Sequence, residues 1–244
     1  MSKKATRPAI IHSDEAIIIV NKPAGLLTIA DRFDTSLPNL RRKLEDQHGP
    51  IFTVHRLDRD TSGVICFARD AENHQLLSAQ FQDRLPEKSY LAIVEGIPVQ
   101  SEGRIDLALA PDPRRLGKMH VYAKGKEAIS HYEVVQTFGN YSLLKVRIET
   151  GRTHQIRVHL SAIGHPVVAD PWYGRRSELL LSQIKGRKYR SGKDKVERPL
   201  LARTALHAAR LRLQHPITEE WMTWEVEPPK DIRATLAQLG KWDR

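Results

Sequence analysis

A run of charged residues interrupts an otherwise apolar stretch in the first quarter of the chain. Residues 54–63 read Val-His-Arg-Leu-Asp-Arg-Asp-Thr-Ser-Gly, and mostly apolar residues follow over 64–68. The Thr-Ser-Gly ending favours a turn. The run is therefore predicted to be a loop that leads directly into a buried strand, which excludes a solvated tail and places charged side chains at the edge of a core.

Two carboxylates, Asp58 and Asp60, lie within this run. Asp58 stands between Arg56 and Arg59, and nearby positive charge favours the ionised form of a carboxyl group. An ionised, positioned carboxylate can act as a nucleophile or as a general base. From the residues alone, an ordinary surface loop of salt bridges is the alternative, because charge clusters are commonly no more than that.

The composition points to a polyanionic partner. The 244 residues include 39 Lys and Arg against 29 Asp and Glu, a formal net charge of +10, which favours nucleic acid before an anionic membrane. The single cysteine, Cys66, excludes a disulfide within the chain and fits a reducing compartment. The basic N-terminus lacks the apolar segment of a signal peptide, and no apolar run approaches the length of a membrane span. We therefore expect a soluble, cytoplasmic protein.

Turn signals and hydrophobic periodicity predict many short strands and fewer helices. Strands are predicted at 16–20, 64–68, 88–96, 103–107, 131–136, 141–149, 207–213 and 220–227. The turn signal at 138–140 (Phe-Gly-Asn) predicts that the strands at 131–136 and 141–149 form a hairpin. Helices are predicted from a start at 35–38 to residue 47, from an Asp70 cap to residue 83, from a Thr153 cap to residue 163, and after 228–231. Because the strand–helix alternation of a parallel sheet is absent, the pattern favours an α+β fold over an α/β fold.

Two stretches are predicted to lack regular structure. Residues 1–11 are expected to be a disordered N-terminus, whereas residues 12–244 show no composition break and are predicted to form one domain. Residues 174–203 hold ten Lys and Arg against three Asp and Glu, so most of the excess charge lies in one segment. Periodicity ends after Ile184, and residues 185–199 are predicted to be an exposed, mobile basic loop.

A second charged centre lies at the predicted helix after Thr153. Arg157 falls within this helix beside apolar neighbours, so it needs a buried partner, because an unpaired buried charge is very costly. Asp58 is the natural candidate for that partner, and a surface arginine remains the alternative. Arg152 precedes the helix N-terminus, where anions are favoured.

Tyr90 lies in a predicted strand two residues after Lys88. Core packing with the hydroxyl group at the rim is its ordinary interpretation, and a stacking platform for a nucleobase is its functional one. Histidines give no metal site, because His154 and His159 lie five residues apart and would face different sides of a helix. Phosphate-binding glycine motifs are absent from the sequence, so neither a metal site nor a glycine-rich phosphate loop is predicted.

Six motifs occur together in an order that identifies a family. They span 21–25 (Asn-Lys-Pro-Ala-Gly), 55–63, 88–96 (Lys-Ser-Tyr-Leu-Ala-Ile-Val-Glu-Gly), 151–159 (Gly-Arg-Thr-His-Gln-Ile-Arg-Val-His), 164–170 and 206–211. At these residues the sequence resembles pseudouridine synthases of the RluA type, over roughly 12–227. The resemblance implies a mixed, largely antiparallel sheet in two subdomains with the catalytic cleft between them. It also implies that uridine in ribosomal or transfer RNA is isomerised without a cofactor or metal.

The resemblance also implies a role for each site residue. Asp58 matches the catalytic aspartate, Tyr90 the aromatic ring that stacks on the target base, and Arg157 the arginine that pairs with the aspartate. Arg56 matches the residue that fills the space of the flipped-out nucleotide. RNA-binding residues are expected among the basic positions of the motifs and of the basic loop, namely Arg56, Arg59, Arg152, His154, Lys185, Arg187, Lys188 and Arg190.

Many members of this family carry a small RNA-binding domain before the catalytic one. Only some fifteen residues precede the first predicted strand here, so RNA binding is expected from the catalytic domain itself, in a protein expected to be monomeric. Two other functions are compatible with the residues. One is a non-catalytic RNA-binding protein that keeps the fold, and the other is a hydrolase that uses Asp58 or Asp60 with His55.

Overall fold

A computed structural model describes residues 8–190 and 196–242 of the chain. Its strands are β1 (Ala9–Ser13), β2 (Ile17–Lys22), β3 (Phe52–Thr53), β4 (Ser62–Ala68), β5 (Glu87–Glu95), β6 (Glu102–Asp106), β7 (Leu109–Pro111), β8 (Met119–Val121), β9 (Ile129–Phe138), β10 (Tyr141–Ile148), β11 (Leu206–Gln214) and β12 (Trp221–Glu225). Its α-helices are α1 (Leu40–His48), α2 (Ala71–Gln82), α3 (Gln155–Ala162), α4 (Leu181–Lys185) and α5 (Lys230–Trp242). The chain divides into unit 1, residues 1–89 and 207–227, and unit 2, residues 90–206 and 228–244.

Unit 1 is built on strands in the order β1, β2, β4 and β11, with β12 paired to β11 and β3 paired to β4. β4 and β11 run parallel, whereas β2 pairs antiparallel with both β1 and β4. All seven residues of β4 are buried, so this strand is covered on both faces. Leu77 of α2 joins the buried apolar residues of β2 and β4 in one core cluster.

Unit 2 contains the strands β5, β10, β9 and β6, in that order, and a separate pair made of β7 and β8. β9 pairs antiparallel with β10 and with β6. Helix α3 packs against β8 and β9, and α5 packs against β9. The layers bury Leu144 and Val146 of β10 and Leu160 of α3.

The predicted fold class is confirmed, since the structure is α+β with a mixed, mostly antiparallel sheet. The predicted hairpin is confirmed by β9 and β10, which turn at Gly139 and Asn140. Helix α2 begins after Asp70, whose side chain accepts a hydrogen bond from the Asn73 amide, as the predicted cap requires.

The predicted start of α1 is wrong by a few residues. The helix begins at Leu40, and its cap is Asn39, whose side chain accepts from the Arg42 amide. The amides of Leu40 and Arg41 donate to the carbonyls of Leu27 and Thr28. Tertiary hydrogen bonds to the preceding segment therefore set this end, and the hydroxyls at 35–36 do not.

The predicted cap of α3 is also wrong. The helix begins at Gln155 after His154, which has a left-handed backbone (φ 54°) and no capping side chain. The Gln155 side chain accepts hydrogen bonds from the Arg152 amide and from the Thr150 hydroxyl. The Gln155 side chain thus fixes the turn that precedes the helix, and the N-cap position is His154 rather than Thr153.

Two predictions of irregular structure need correction. Residues 9–11 belong to β1, although the sequence predicted disorder over 1–11; residues 1–7 lie outside the described part. The predicted basic loop overlaps regular structure at its start, because Lys185 ends α4 and Gly186–Lys188 form a 3-10 turn. Part of that loop, 191–195, lies outside the described residues. Beyond it, the Glu197 side chain accepts from the Ser182 amide, which ties the segment back to α4.

Candidate active site

The Asp58 loop connects β3 to β4 in unit 1 and is held through its backbone. Leu57 is buried, its carbonyl accepts from the Thr28 hydroxyl at 2.8 Å, and its amide donates to the same oxygen at 3.2 Å. The Thr61 amide donates to the Asp58 carbonyl at 3.1 Å and closes the turn. The half-buried Asp58 side chain is thus presented by a backbone that is fixed on both sides.

Lys22, at the end of β2, ties a second loop to the first. It is fully buried, and its ammonium donates to the carbonyls of Pro23 (3.1 Å), Leu26 (2.7 Å) and Arg59 (2.9 Å). The Gly25 amide also donates to the Arg59 carbonyl at 2.9 Å. The motif at 21–25 therefore supports the Asp58 loop. Sequence reasoning gave Lys22 no role. A usable signal was its position two residues after an apolar run and directly before a Pro-Ala-Gly turn.

Gly63 and His207 fix the exit of the loop. Gly63 has φ +123°, and a Cβ atom there would lie 2.1 Å from the Ala208 carbonyl oxygen, so this close approach of β4 to β11 requires glycine. The His207 Nε2–H group donates to the Val226 carbonyl at 3.0 Å, and its Nδ1 accepts from the Ser62 hydroxyl at 3.0 Å. Ser62 is thus a structural hydroxyl.

His55 is held as a neutral ring. Its Nε2 accepts from the Cys66 amide at 3.0 Å, and its ring stacks on Phe81 at 4.7 Å between centroids. Burial, and then the charge of Lys88, lower the pKa of His55 to about 3. Burial likewise lowers the pKa of Lys88 to about 8. At neutral pH the His55 ring thus carries no charge, and the nitrogen that would accept a proton is already hydrogen-bonded, which disfavours the hydrolase hypothesis.

Arg157 occupies a buried position on α3 in unit 2 and does have a buried carboxylate partner. Its Nε and Nη2 donate to the two oxygens of Asp170 at 2.6 and 2.8 Å. Asp170 is fully buried and also accepts from the amides of Trp172 and Tyr173. Burial acts to raise the pKa of Asp170, but the hydrogen bonds and charge of Arg157, with the two amides, hold it below its usual value.

The need of Arg157 for a buried acid is thus confirmed, but Asp170 was missed. The signal was present, because Asp170 ends the motif at 164–170, thirteen residues after the arginine. The pairing of Arg157 with Asp58 stays a prediction.

Aromatic rings surround the Arg157 guanidinium. It lies 5.0 Å from the centroid of Tyr173 and 5.9 Å from that of Trp172. The His154 ring meets Trp172 edge-on at 5.1 Å, and its Nδ1 accepts from the Tyr173 hydroxyl at 2.9 Å. That hydroxyl also accepts from the Met119 amide. His154, which was predicted to bind RNA, therefore contacts both Trp172 and Tyr173 and helps to hold their rings in place.

The remaining predicted site residues differ in exposure. Tyr90 lies in β5 and is 8% exposed. Arg152 is half-buried and donates to the Glu127 carbonyl. The Lys185 ammonium lies 4.5 Å from the Trp242 ring centroid. The exposed cations are Arg56, Arg59, Arg187, Lys188 and Arg190.

Metal-binding and membrane-spanning features were also sought over residues 8–190 and 196–242. His159 is buried and uses both ring nitrogens, with the Ser130 hydroxyl at 3.0 Å and the Leu107 carbonyl at 2.9 Å. In those residues, His, Cys, Asp and Glu form no cluster of three or more that could hold a metal ion. Nor do they include a helix with the length and apolar character needed to cross a membrane.

Comparison with known proteins gives consistent matches. Residues 16–162 match the family model for RNA pseudouridylate synthase. The chain is 35% identical to the ribosomal large subunit pseudouridine synthase D of Zymomonas mobilis, a match that covers 94% of this chain and 72% of that protein. The same-named protein of Pseudomonas aeruginosa is 39% identical, with 94% and 71% covered. The dual-specificity RNA pseudouridine synthase RluA of Pasteurella multocida is 31% identical, with 90% and 92% covered.

Solved structures agree with the fold. Human RNA pseudouridylate synthase domain containing 1 has a TM-score of 0.70 and 27% identity, with 94% of this chain and 87% of that chain covered. Human RNA pseudouridylate synthase domain containing 4 has a TM-score of 0.72 at 24% identity, with 95% and 92% covered, and supports the fold alone.

Proposed function

The chain belongs to the RNA pseudouridylate synthase family and is an isomerase, and from this premise we propose that Asp58 is its catalytic carboxylate, acting on a flipped-out uridine of ribosomal or transfer RNA. The ribosomal target follows the names of the large-subunit relatives, and the transfer RNA target follows the family resemblance of the sequence. The observation that carries the proposal is the fixed presentation of Asp58 by Leu57, Thr61 and the Arg59 carbonyl.

The reaction needs positioning and needs no external reagent. The bond from N1 of uracil to C1′ of ribose breaks, the base turns while it stays bound, and C5 bonds to C1′. The proton that leaves C5 is balanced by the proton that N1 gains, so the product is an isomer. Asp58 attacks the sugar or the base, or removes a C2′ proton, and each role requires an ionised carboxylate beside the nucleotide.

Three other side chains complete the proposed set. Tyr90 stacks on the target base, which suits a mostly buried aromatic ring with a polar end. Arg157 pairs with the catalytic aspartate, and Asp170 fixes the orientation of its guanidinium. Arg56 is exposed next to Leu57 and takes the space that the flipped nucleotide leaves.

Replacement of Asp58 by asparagine tests the catalytic role. Asp58→Asn keeps the shape of the side chain but removes its charge, so pseudouridine formation should fall at least about a thousandfold while RNA binding stays within about threefold. Pseudouridine maps of total RNA, with and without the protein, identify the substrate, and unchanged RNA mass shows isomerisation. Product formation by Asp58→Asn at the wild-type rate would refute the role of Asp58. Binding without product in the wild-type protein would instead support the non-catalytic alternative.

The exposed cations Arg187, Lys188 and Arg190 are proposed to bind RNA phosphates. Their joint replacement by glutamine should weaken RNA binding and lower the slope of log affinity against log salt by about two to three. An unchanged affinity and slope would exclude this segment from the RNA interface.

A further inference from the structure

An open cavity of about 710 Å³ lies next to the Asp58 loop within unit 1. It is lined by Ile29, Ala30, Thr35, Asn39, Arg41, Arg42, Glu45, Thr53, Val54, His55 and Arg56. Its volume falls in the range of small-ligand pockets, about 300–1,000 Å³. Val54, His55 and Arg56 of its wall belong to the Asp58 loop, so this loop borders the cavity.

The cavity wall is cationic because of arginine side chains. Arg41 pairs with Glu45 at 2.9 Å and Arg42 with Asp46 at 3.2 Å, and the Arg42 side chain remains 75% exposed. The backbone amides at the start of α1 do not contribute, because those of Leu40 and Arg41 donate to carbonyls and that of Arg42 donates to the Asn39 side chain. The wall contains three arginines against one carboxylate, Glu45, so its charge favours an anion.

An exposed aromatic ring stands on the loop that forms one side of the cavity. Phe33 is 77% exposed and lies between Ala30 and Thr35, which both line the cavity. The loop is ordered by Asp31, whose carboxylate accepts from the Phe33 amide at 2.8 Å and from the Asp34 amide at 3.1 Å. The exposed Phe33 ring does not pack in the core, so it is available to stack on a ligand.

We propose that this cavity binds a single-stranded ribonucleotide that neighbours the target uridine, with its phosphate on Arg42 and its base stacked on Phe33. Proteins recognise single-stranded RNA by this combination of cationic groups and aromatic platforms. Because Val54, His55 and Arg56 of the Asp58 loop line the cavity, the bound nucleotide is placed next to the one that Asp58 modifies. The inference rests on the proposed function for its substrate, and it adds the site at which the strand next to the uridine is held.

The stacking contact is tested by equilibrium binding in the Asp58→Asn background, so that catalysis does not enter. The probes are the RNA fragment found by pseudouridine mapping and a labelled single-stranded RNA of mixed sequence. Phe33→Ala should weaken binding of both by about tenfold, as loss of one base stack does, and Phe33→Trp should restore it. Val99→Ala is the matched control, because Val99 is a fully exposed apolar side chain in unit 2.

Abasic nucleotides locate the bound base. In Asp58→Asn with Phe33 intact, an abasic site at one position beside the target uridine should weaken RNA binding by about tenfold. The same abasic RNA should bind Phe33→Ala no more weakly than intact RNA does. Equal losses in both proteins at every position would overturn the proposal, as would wild-type affinity of Phe33→Ala.

The phosphate contact is tested by the salt dependence of binding. Arg42→Ala should lower the slope of log affinity against log salt by about one, whereas Arg104→Ala, which removes a half-exposed arginine paired with Asp106, should leave it unchanged. An unchanged slope for Arg42→Ala would remove Arg42 from the site. If the wild-type protein makes no pseudouridine but Phe33→Ala still loses affinity for mixed-sequence RNA, the proposed function fails and the subsite stands.

Discussion

The two charged centres of the molecule are held by opposite means. In unit 1 the Asp58 loop is fixed through its backbone, with the buried Lys22 ammonium donating to three neutral carbonyls. In unit 2 the Arg157 side chain is fixed by an ionic partner, the fully buried Asp170. The Asp58 side chain is thus positioned by hydrogen bonds of the backbone around it, whereas the Arg157 guanidinium is positioned by a direct ion pair. The two should therefore respond differently to the loss of one group.

Loss of Asp170 should have the largest effect on stability. Asp170→Ala removes the bidentate partner of a buried guanidinium and the acceptor of two amides, so the free energy of unfolding should fall by about 3–5 kcal/mol. The fall is measured by urea denaturation. Asp106→Ala, which breaks an ion pair that is about half exposed, is the control and should cost less than about 1 kcal/mol.

A double variant shows whether charge is the cause. Arg157→Met combined with Asp170→Ala removes both members of the pair and should be more stable than Asp170→Ala alone. If the double variant is no more stable, the cost lies in the lost amide acceptor, and the contrast between the two centres disappears.

Loss of Lys22 should have the next largest effect and should act on catalysis as well. Lys22→Met removes three donors but also removes a buried charge, so we expect a net loss of about 2–3 kcal/mol. Because the lost bonds hold the Arg59 carbonyl, kcat should fall at least about tenfold while KM changes less than about threefold. A kcat equal to that of the wild-type protein at a temperature where Lys22→Met is folded would show that Lys22 does not position the loop.

Local patterns in the sequence predicted much of this arrangement. The Asp70 cap of α2 and the β9–β10 hairpin depend on residues that are near in sequence, and both predictions are confirmed. The start of α1 depends on hydrogen bonds to Leu27 and Thr28, and the buried partner of Arg157 depends on how a loop folds back onto α3. Such contacts have no periodic signal, so the sequence showed that Arg157 needed a partner, and the only pointer to Asp170 was its place in the motif at 164–170.

Acid should weaken unit 1 through His55. Its pKa is about 3 in the folded protein, below its ordinary value near 6.5, so the unfolded chain binds the proton more readily. The contribution of neutral His55 is complete above pH 6.5 and is lost as pH falls from 6.5 towards 3, at up to about 1.4 kcal/mol per pH unit. Asp170 behaves differently, because its lowered pKa keeps its contribution until pH falls below the ordinary range of a carboxyl group.

His55→Gln isolates this effect, since glutamine does not titrate. Urea denaturation at pH 7 and pH 5.5 should show that the wild-type protein loses about 1 kcal/mol more than His55→Gln over this interval. Burial also lowers the pKa of His159, and this variant leaves that contribution in place. Equal pH dependence in the two proteins would mean that His55 is not held neutral.

The smallest effect on stability is expected at Arg59, and it sharpens the distinction between backbone and side-chain support within unit 1. The exposed Arg59 side chain donates to the Gly25 carbonyl at 3.2 Å, while its own backbone carbonyl accepts from buried Lys22 and from the Gly25 amide. Arg59→Ala keeps the backbone acceptor, so the free energy of unfolding should change by less than about 0.5 kcal/mol. RNA affinity should still fall, with a salt slope lower by about one, if the guanidinium contacts a phosphate. A stability loss as large as that of Lys22→Met would show that the exposed side chain, and not the buried ammonium, holds the two loops together.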